Sequence, residues 1–321
     1  MRSHQFTIVR SVCGQFTAAV LSKFSEYRLP DILGSSFNNR FFLLPILFLL
    51  FSFSTYSQKI AIVTPDPAPG SESALREINA LFSREFDVVP GSMSEMIFAA
   101  MKFERPFNLS TEDAVKFGES VGSNYFLLLR TDTLRRTSFE REAYFESYIT
   151  FFLVSCKTGK LLSWKFYKFE EDSPGASEKK LLDSLGSYVS ELTKTIRENN
   201  RIGPDDEAAG SKFEIAPEPA GSNDLRPPMP YLRKKPEYTK IAGIYDVLAT
   251  VDVAVDIDQE GNLKNTEILR WAGYGLDESV LETVRSLRWR PADSGGKPLA
   301  MRVLLRYNFK NIDSESELNN R

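Results

Sequence analysis

Chemistry at neutral pH leans on a histidine, a reactive thiol, or two carboxyls whose pKa values are pushed apart. This chain of 321 residues is poor in the first two: His4 is its one histidine, and Cys13 and Cys156 are its two cysteines. If the segment before Gln58 is removed or held in a membrane, the remainder has no histidine and a single cysteine. That excludes Ser-His-Asp and Cys-His nucleophilic mechanisms, zinc sites built from His and Cys, and an internal disulfide. The 43 acidic residues are spread without any pair singled out by spacing. The expectation is a protein with no catalytic residues, no metal and no cofactor, in which Cys156 is a small buried side chain. A net charge of -3 offers no concentrated basic face, which argues against a nucleic-acid partner.

What remains is the chemistry of the backbone. Leu299, Met301, Val303, Leu305, Tyr307 and Phe309 alternate with Ala300, Arg302, Leu304, Arg306, Asn308 and Lys310, the cleanest period-2 run in the chain. A strand of this kind at a sheet edge presents unpaired N–H and C=O groups that another chain can complete. Arg302, Arg306 and Lys310 form a basic stripe along it. That stripe either selects acidic flanks on a partner or is a solvated face that guards an edge strand.

The elements that must position this strand are legible upstream. Val251, Val253, Val255 and Ile257 alternate with polar or small residues, and Asp258-Gln259-Glu260-Gly261 closes a hairpin in which Gly261 can take positive φ. A second extended run passes through Leu263, Ile268 and Trp271. Leu276, Val280, Val284 and Leu287 then share a helix face, with Asp277 and Glu278 at the positive end of its dipole. Pro291 stops that helix.

With these parts in order, residues 236–310 resemble the TonB C-terminal domain family. The carrying motifs are Pro236-Glu237-Tyr238, the Asp258-to-Gly261 turn, Leu276-Asp277, Trp289-Arg290-Pro291-Ala292, Gly295-Gly296 and the last strand. Thr239, Ala249 and Leu287 depart from the usual Pro, Gly and Trp. The resemblance implies strand addition: an extended peptide, the TonB box of an outer-membrane TonB-dependent receptor, pairs with the last strand. The implied binding residues are Leu299, Met301, Arg302, Val303, Leu304, Leu305, Arg306 and Tyr307. It also implies an inner-membrane, proton-driven motor as a further partner, so that energy is coupled to outer-membrane transport. The alternative is a periplasmic adaptor or scaffold that uses the same protein-binding unit without energy coupling.

Upstream, Phe41–Phe53 is a nearly unbroken apolar run after Arg40. As a helix it would span roughly 20 Å, short of the roughly 30 Å of a bilayer core, which suits a signal peptide cleaved before Gln58. The other reading is an uncleaved inner-membrane anchor over residues 41–57. Either way the remainder is periplasmic.

Residues 58–200 read as a second domain. A strand at Lys59–Thr64 precedes a helix carrying Ala74, Leu75, Ile78, Leu81 and Phe82. A strand from Phe86 to Val89 precedes a helix whose Met93, Met96, Ile97 and Met101 should fill core. Two aromatic strands, Tyr144–Ser155 and Leu161–Phe169, should form a sheet packed on helices, or else a carbohydrate-stacking surface. A helix from Glu178 to Ile196 should lie against that sheet. Lys59-Ile60-Ala61-Ile62-Val63, Phe86-Asp87-Val88-Val89, Gly122-Ser123-Asn124-Tyr125 and Lys157-Thr158-Gly159-Lys160-Leu161-Leu162-Ser163-Trp164 resemble the TolB amino-terminal domain and CsgG-like α/β proteins, which are not enzymes and commonly mediate protein contacts.

The predicted fold class is α+β: a small antiparallel sheet with two helices, preceded by an α/β domain. The predicted order is an N-terminal extension over 1–57, the α/β domain over 58–200, a Pro-rich extended linker over 201–235, the TonB-like domain over 236–312 and a tail over 313–321.

Overall fold

The computed structural model describes residues 58–201, 213–215 and 225–311. The apolar run, the N-terminal extension, most of the linker and the tail lie outside the described residues. Strand β1 (Lys59–Val63) leads to helix α1 (Ser71–Phe82), β2 (Asp87–Val88), α2 (Gly91–Met101) and α3 (Thr111–Val121). Strands β3 (Tyr125–Arg136), β4 (Tyr144–Ser155) and β5 (Leu161–Glu171) and the long α4 (Pro174–Arg201) follow. The strands form one five-stranded sheet in the order β2-β1-β3-β4-β5, in which β1 runs parallel to β2 and β3 while β3, β4 and β5 are antiparallel.

One face of this sheet is covered by α1 and α4, whose Ile78, Phe82, Leu181, Leu185 and Leu192 bury Ile62, Leu127, Phe151 and Leu153. On the other face α2 and α3 bring Phe98 and Phe117 onto Phe126. Ser110 caps α3 by accepting from the Asp113 N–H at 3.0 Å, satisfying one of the donors a helix start leaves over. The same face carries an aromatic strip made by Phe152, Trp164 and Phe166.

The C-terminal half covers it. Its elements are β6 (Leu225–Arg226), β7 (Met229–Pro230), α5 (Lys240–Ile244), β8 (Ala249–Ile257) and β9 (Leu263–Arg270). Then come α6 (Leu276–Arg285), β10 (Trp289–Arg290), β11 (Ala292–Ser294), β12 (Lys297–Leu299) and β13 (Met301–Phe309). Strands β13-β8-β9 form a three-stranded antiparallel sheet, and β12-β11-β6 and β10-β7 form small ribbons beside it.

All described residues fall in one compact unit, Tyr56–Arg321, and a single core runs through both halves. The ring of Tyr274 lies 5.0 Å from Trp164, Trp271 lies 5.8 Å from Phe152, and Tyr245 lies 4.7 Å from Phe166. The strip read as a possible carbohydrate platform is therefore an internal surface. Gly273, at φ +68°, allows this approach, because a Cβ there would stand 2.5 Å from Trp164 Cδ1.

Polar groups lock the same contact. The buried Asn108 donates to the backbone oxygens of Thr250 at 2.8 Å and Trp271 at 2.7 Å, and accepts from the Thr250 N–H at 2.8 Å. Ser110 bridges Arg270 in strand fashion, and the Trp271 indole donates to Gly159 O at 3.1 Å. The Tyr245 hydroxyl donates to the buried carboxylate of Glu146 at 2.8 Å, which also accepts from Lys168 at 2.8 Å and Arg136 at 3.1 Å.

Several expectations change. Met93 and Met96 are 42% and 67% exposed, whereas Ile97 and Met101 pack against the core beside the buried Ser94 and Phe98, so only half of the expected stripe fills core. The first helix of the C-terminal half spans only Lys240–Ile244, capped by Thr239, and the Pro236-Glu237-Tyr238 motif lies before it. The last strand is divided at Ala300, so Leu299 pairs with Ala292 while β13 begins at Met301. The end of the expected linker is part of the C-terminal module rather than free of it: Leu225–Arg226 and Met229–Pro230 pair with β11 and β10, and Leu225 packs on Ala292 and Met301. Leu225 supplied an apolar side chain to bury, a reason to pair that a count of prolines hides, whereas Met229 stays 42% exposed.

Two measurements follow from the joint core. Asn108→Ala strands three backbone groups in a buried contact and should cost about 2–4 kcal/mol in urea denaturation, with both halves still unfolding in one transition. Burial alone would raise the Glu146 carboxyl, but hydrogen bonds from Lys168, Tyr245 and Arg136 outweigh it and hold it below the ordinary carboxylate range. Its contribution is therefore present at neutral pH and lost as pH falls below about 4.5. Glu146→Gln should lower stability at pH 7 and flatten the acid limb of a stability-against-pH profile.

Candidate functional site

Strand β13 ends its sheet. It pairs with β8 over nine residues without a register break, from Met301 opposite Ile257 to Phe309 opposite Ala249. The Arg302 N–H donates not to β8 but to Glu214 O at 2.8 Å, so residue 302 directs its backbone groups to the outer edge. Because the pattern alternates, Leu304, Arg306 and Asn308 share that outward direction, whereas Met301, Val303, Leu305 and Tyr307 address β8. The side chains divide the other way: Val303, Leu305 and Tyr307 are half-buried against the core, and Leu304 is exposed. Seven of the eight residues singled out in the sequence thus lie together on β13. Leu299 lies in β12 instead.

The basic stripe is not held ready for a partner. Arg302 makes a two-pronged pair with the buried Asp256 directly opposite, at 2.7 and 3.0 Å, and reaches Glu267 on β9 at 3.1 Å. Arg306 pairs with Asp252 in the same manner, at 2.7 and 3.0 Å, and Arg270 of β9 reaches Asp252 at 3.2 Å. Rows of alternating charge therefore cross all three strands. The pair with Asp256, which leads burial among the causes, raises the Arg302 guanidinium above its ordinary value. Lys160 of the α/β half extends one row by its contact with Glu267 at 3.4 Å, and Arg270 donates to Asn108 O at 2.9 Å. The charges fix the register of β13 and tie its sheet to the neighbouring half.

The motif residues build the frame behind the strand. Asp258 accepts from the N–H groups of Glu260 at 3.0 Å and Asn262 at 2.7 Å and from Lys264 at 2.9 Å. Although burial opposes it, these bonds hold its carboxyl well below the usual carboxylate range. Gly261 has φ +83°, and a Cβ there would stand 2.5 Å from Trp289 O and 3.4 Å from Pro291 Cδ, so the turn and the Trp289-to-Pro291 segment fit only with glycine. The Tyr238 hydroxyl donates to Ala242 O and Val247 O at 3.1 and 2.9 Å, its ring stacks on Phe309, and Pro236 is buried beside it in sequence. Leu276 is fully buried. Asp277 accepts from the N–H groups of Ala272 and Gly273, at 2.9 and 2.8 Å, and burial pushes its carboxyl up to about 7.

Elsewhere, Cys156 is buried against Gly118, and burial pushes its thiol up to about 11, which makes it a poor nucleophile. Among the described residues no group of three His, Cys, Asp or Glu side chains could hold a metal ion, and no helix is long and apolar enough to cross a membrane. Sequence reasoning missed Asn108, Glu146 and Tyr245, which join the halves, and Glu214, which meets β13. A lone Asn or Glu carries no pattern from which such a partner could be read.

Fold and site together define a small module whose three-stranded sheet ends in strand β13. The profile of the Gram-negative bacterial TonB protein C-terminal family matches residues 234–311, so the chain carries a TonB C-terminal-like domain. Such domains are structural and adaptor modules, typically periplasmic, that interact with TonB-dependent receptors and inner-membrane energising complexes. Among solved structures, the Pseudomonas aeruginosa TonB C-terminal domain is similar at 21% identity, covering 32% of this chain and 97% of that domain, with a TM-score of 0.25. Lipoprotein GNA1162 from Neisseria meningitidis is similar at 18% identity over 42% of this chain and 98% of that one, with a TM-score of 0.29. The PelC dodecamer from Paraburkholderia phytofirmans is similar at 14% identity over 42% of this chain and 87% of that one, also with a TM-score of 0.29. No curated protein matches the chain.

The buried pair gives a direct test. Arg302→Met removes the two-pronged guanidinium from the buried Asp256 carboxylate and should cost about 3–5 kcal/mol in thermal or urea denaturation. Adding Asp256→Leu to Arg302→Met should restore much of that loss.

Proposed function

We propose that this is a periplasmic protein that binds an extended peptide of an outer-membrane receptor by adding it as a strand to the outer edge of β13. The observation that carries the proposal is the position of β13 at the end of its sheet, with the backbone groups of Arg302, Leu304, Arg306 and Asn308 directed outward. Each added hydrogen bond contributes about 0.5–1.5 kcal/mol net, so a short peptide gains useful affinity from main-chain pairing alone. Half-buried Val303, Leu305 and Tyr307 offer apolar contact to alternate side chains of the incoming strand, and exposed Leu304 does the same on the opposite face. Since the arginines are neutralised within the sheet, acidic flanks are not the basis of selection in this reading.

The α/β half is read as a TolB amino-terminal or CsgG-like domain, on the support of its element order and its sheet order β2-β1-β3-β4-β5. Energy coupling would add an inner-membrane motor and require residues 41–57 to stay in the membrane as an anchor. The adaptor reading has an observation of its own: the TonB-like module shares a core with the α/β half rather than riding free at the end of a long rod. In that reading, a signal peptide is cleaved before Gln58 and the protein presents β13 from a fixed base. Fractionation with N-terminal sequencing separates the two, since a processed protein without an anchor has no direct route to an inner-membrane motor.

A proline at Val303 or Leu305 would break the ladder to β8. Leu304→Pro is the cleaner probe, because it deletes a donor on the outer edge, where strands tolerate proline. Synthetic peptides from the N-terminal periplasmic segments of the cell's outer-membrane receptors should bind the wild-type chain. Leu304→Pro should weaken that binding at least 10-fold with circular dichroism unchanged. Unaltered binding by a folded Leu304→Pro protein would refute the assignment of β13.

A further inference from the structure

The outer edge of β13 already meets a piece of this chain. Ile215 forms a parallel bridge with Arg302, whose N–H donates to Glu214 O at 2.8 Å. That is one of the outward donors on which strand addition relies. We propose that Phe213–Ile215 is a built-in placeholder for β13, a short strand that the incoming peptide must displace; this rests on the reading of β13 as the peptide-binding edge.

Three features suit the segment to that task. At the bridge itself the hold is shallow, since Ile215 remains 61% exposed and so adds little burial to the hydrogen bond. A contact of that size protects an edge without sealing it. The segment is also tethered: Leu225–Arg226, ten residues beyond Ile215, is paired with β11 of the same module. A short tether of this kind keeps the effective concentration of the segment in the millimolar range, enough for a weak contact to compete. Finally, the sequence permits pairing on one side only. Glu214 turns its carbonyl to β13, so Ile215 turns its own backbone groups away, and two prolines, Pro217 and Pro219, follow in the sequence. Proline lacks the N–H that a further strand would need, so a cap of this sequence does not itself create a new sticky edge.

The placeholder has a regulatory consequence. Peptide binding becomes an exchange of one strand for another, and it releases the linker from the module. The linker is the segment that connects α4 of the α/β half to β6, so occupancy of β13 is reported to the stretch between the halves.

The test compares the full wild-type chain with Phe213→Gly/Glu214→Ser/Ile215→Gly, which keeps the length but removes the strand-forming side chains. Hydrogen exchange at the Arg302 amide should accelerate about 2- to 10-fold in the variant while the β8 amides from Val251 to Ile257 stay protected. A fluorescein-labelled synthetic copy of residues 211–219 should bind the variant and bind the wild-type chain about 2- to 10-fold more weakly. Equal Arg302 exchange in the two chains, or equal affinity for that labelled peptide, would overturn the placeholder. Receptor peptides provide the separate control. If they bind neither chain while the Arg302 difference holds, strand addition by receptors fails and the placeholder stands. If they bind both chains equally well, the placeholder fails and strand addition stands.

Discussion

A five-stranded sheet has two faces to cover, and one of them carries the aromatic strip of Phe152, Trp164 and Phe166. Exposed, it would be an apolar patch of the kind that soluble proteins keep small. Tyr245, Trp271 and Tyr274 of the C-terminal half close over it, and this contact fixes the direction in which the second sheet faces. The location and orientation of β13 are consequences of that closure. Gly273 is the local condition for it, since any side chain at this position would meet Trp164 and Phe152.

Polar groups then make the contact specific. Apolar rings allow many packings of similar energy, whereas Asn108 is satisfied only when Thr250 and Trp271 present their backbone groups to it. Glu146 is likewise satisfied only when Tyr245 is in place beside Arg136 and Lys168. The charged rows on the second sheet extend the same logic: Asp252 and Asp256 of β8 are each matched by arginines from both sides or from the strand opposite. Buried pairs of this type contribute more to register than to net stability. They also explain why a strand rich in arginine is not a basic docking stripe.

Much of the C-terminal half was legible because its signals are local. Period-2 alternation gave β8 and most of β13, the Asp258-to-Gly261 turn gave the hairpin, and Leu276, Val280 and Val284 gave α6. The break at Ala300 was not legible, because Leu299 continues the alternation while its partner, Ala292, is set by a turn at Gly295 and Gly296. The pairing of Leu225–Pro230 was hidden by proline content, although Leu225 provides an apolar side chain that such pairing buries. In the α/β half the methionine stripe was read correctly at Ile97 and Met101 but not at Met93 and Met96, because α2 turns Phe98 rather than Met96 to the core. The fusion of the two halves was beyond sequence reading altogether: its ties are single residues meeting partners far away in the chain, as in Asn108 to Thr250, Tyr245 to Glu146 or Trp271 to Gly159.

The central claim is that the α/β half and the TonB-like module form one body that presents β13 in a fixed direction. Residual dipolar couplings of the backbone amides test it directly. Couplings from β3, β4 and β5 and couplings from β8, β9 and β13 should fit one alignment tensor, with the same magnitude and orientation. Two independent tensors, reorienting relative to each other, would show a module that swings on its linker and would contradict the account.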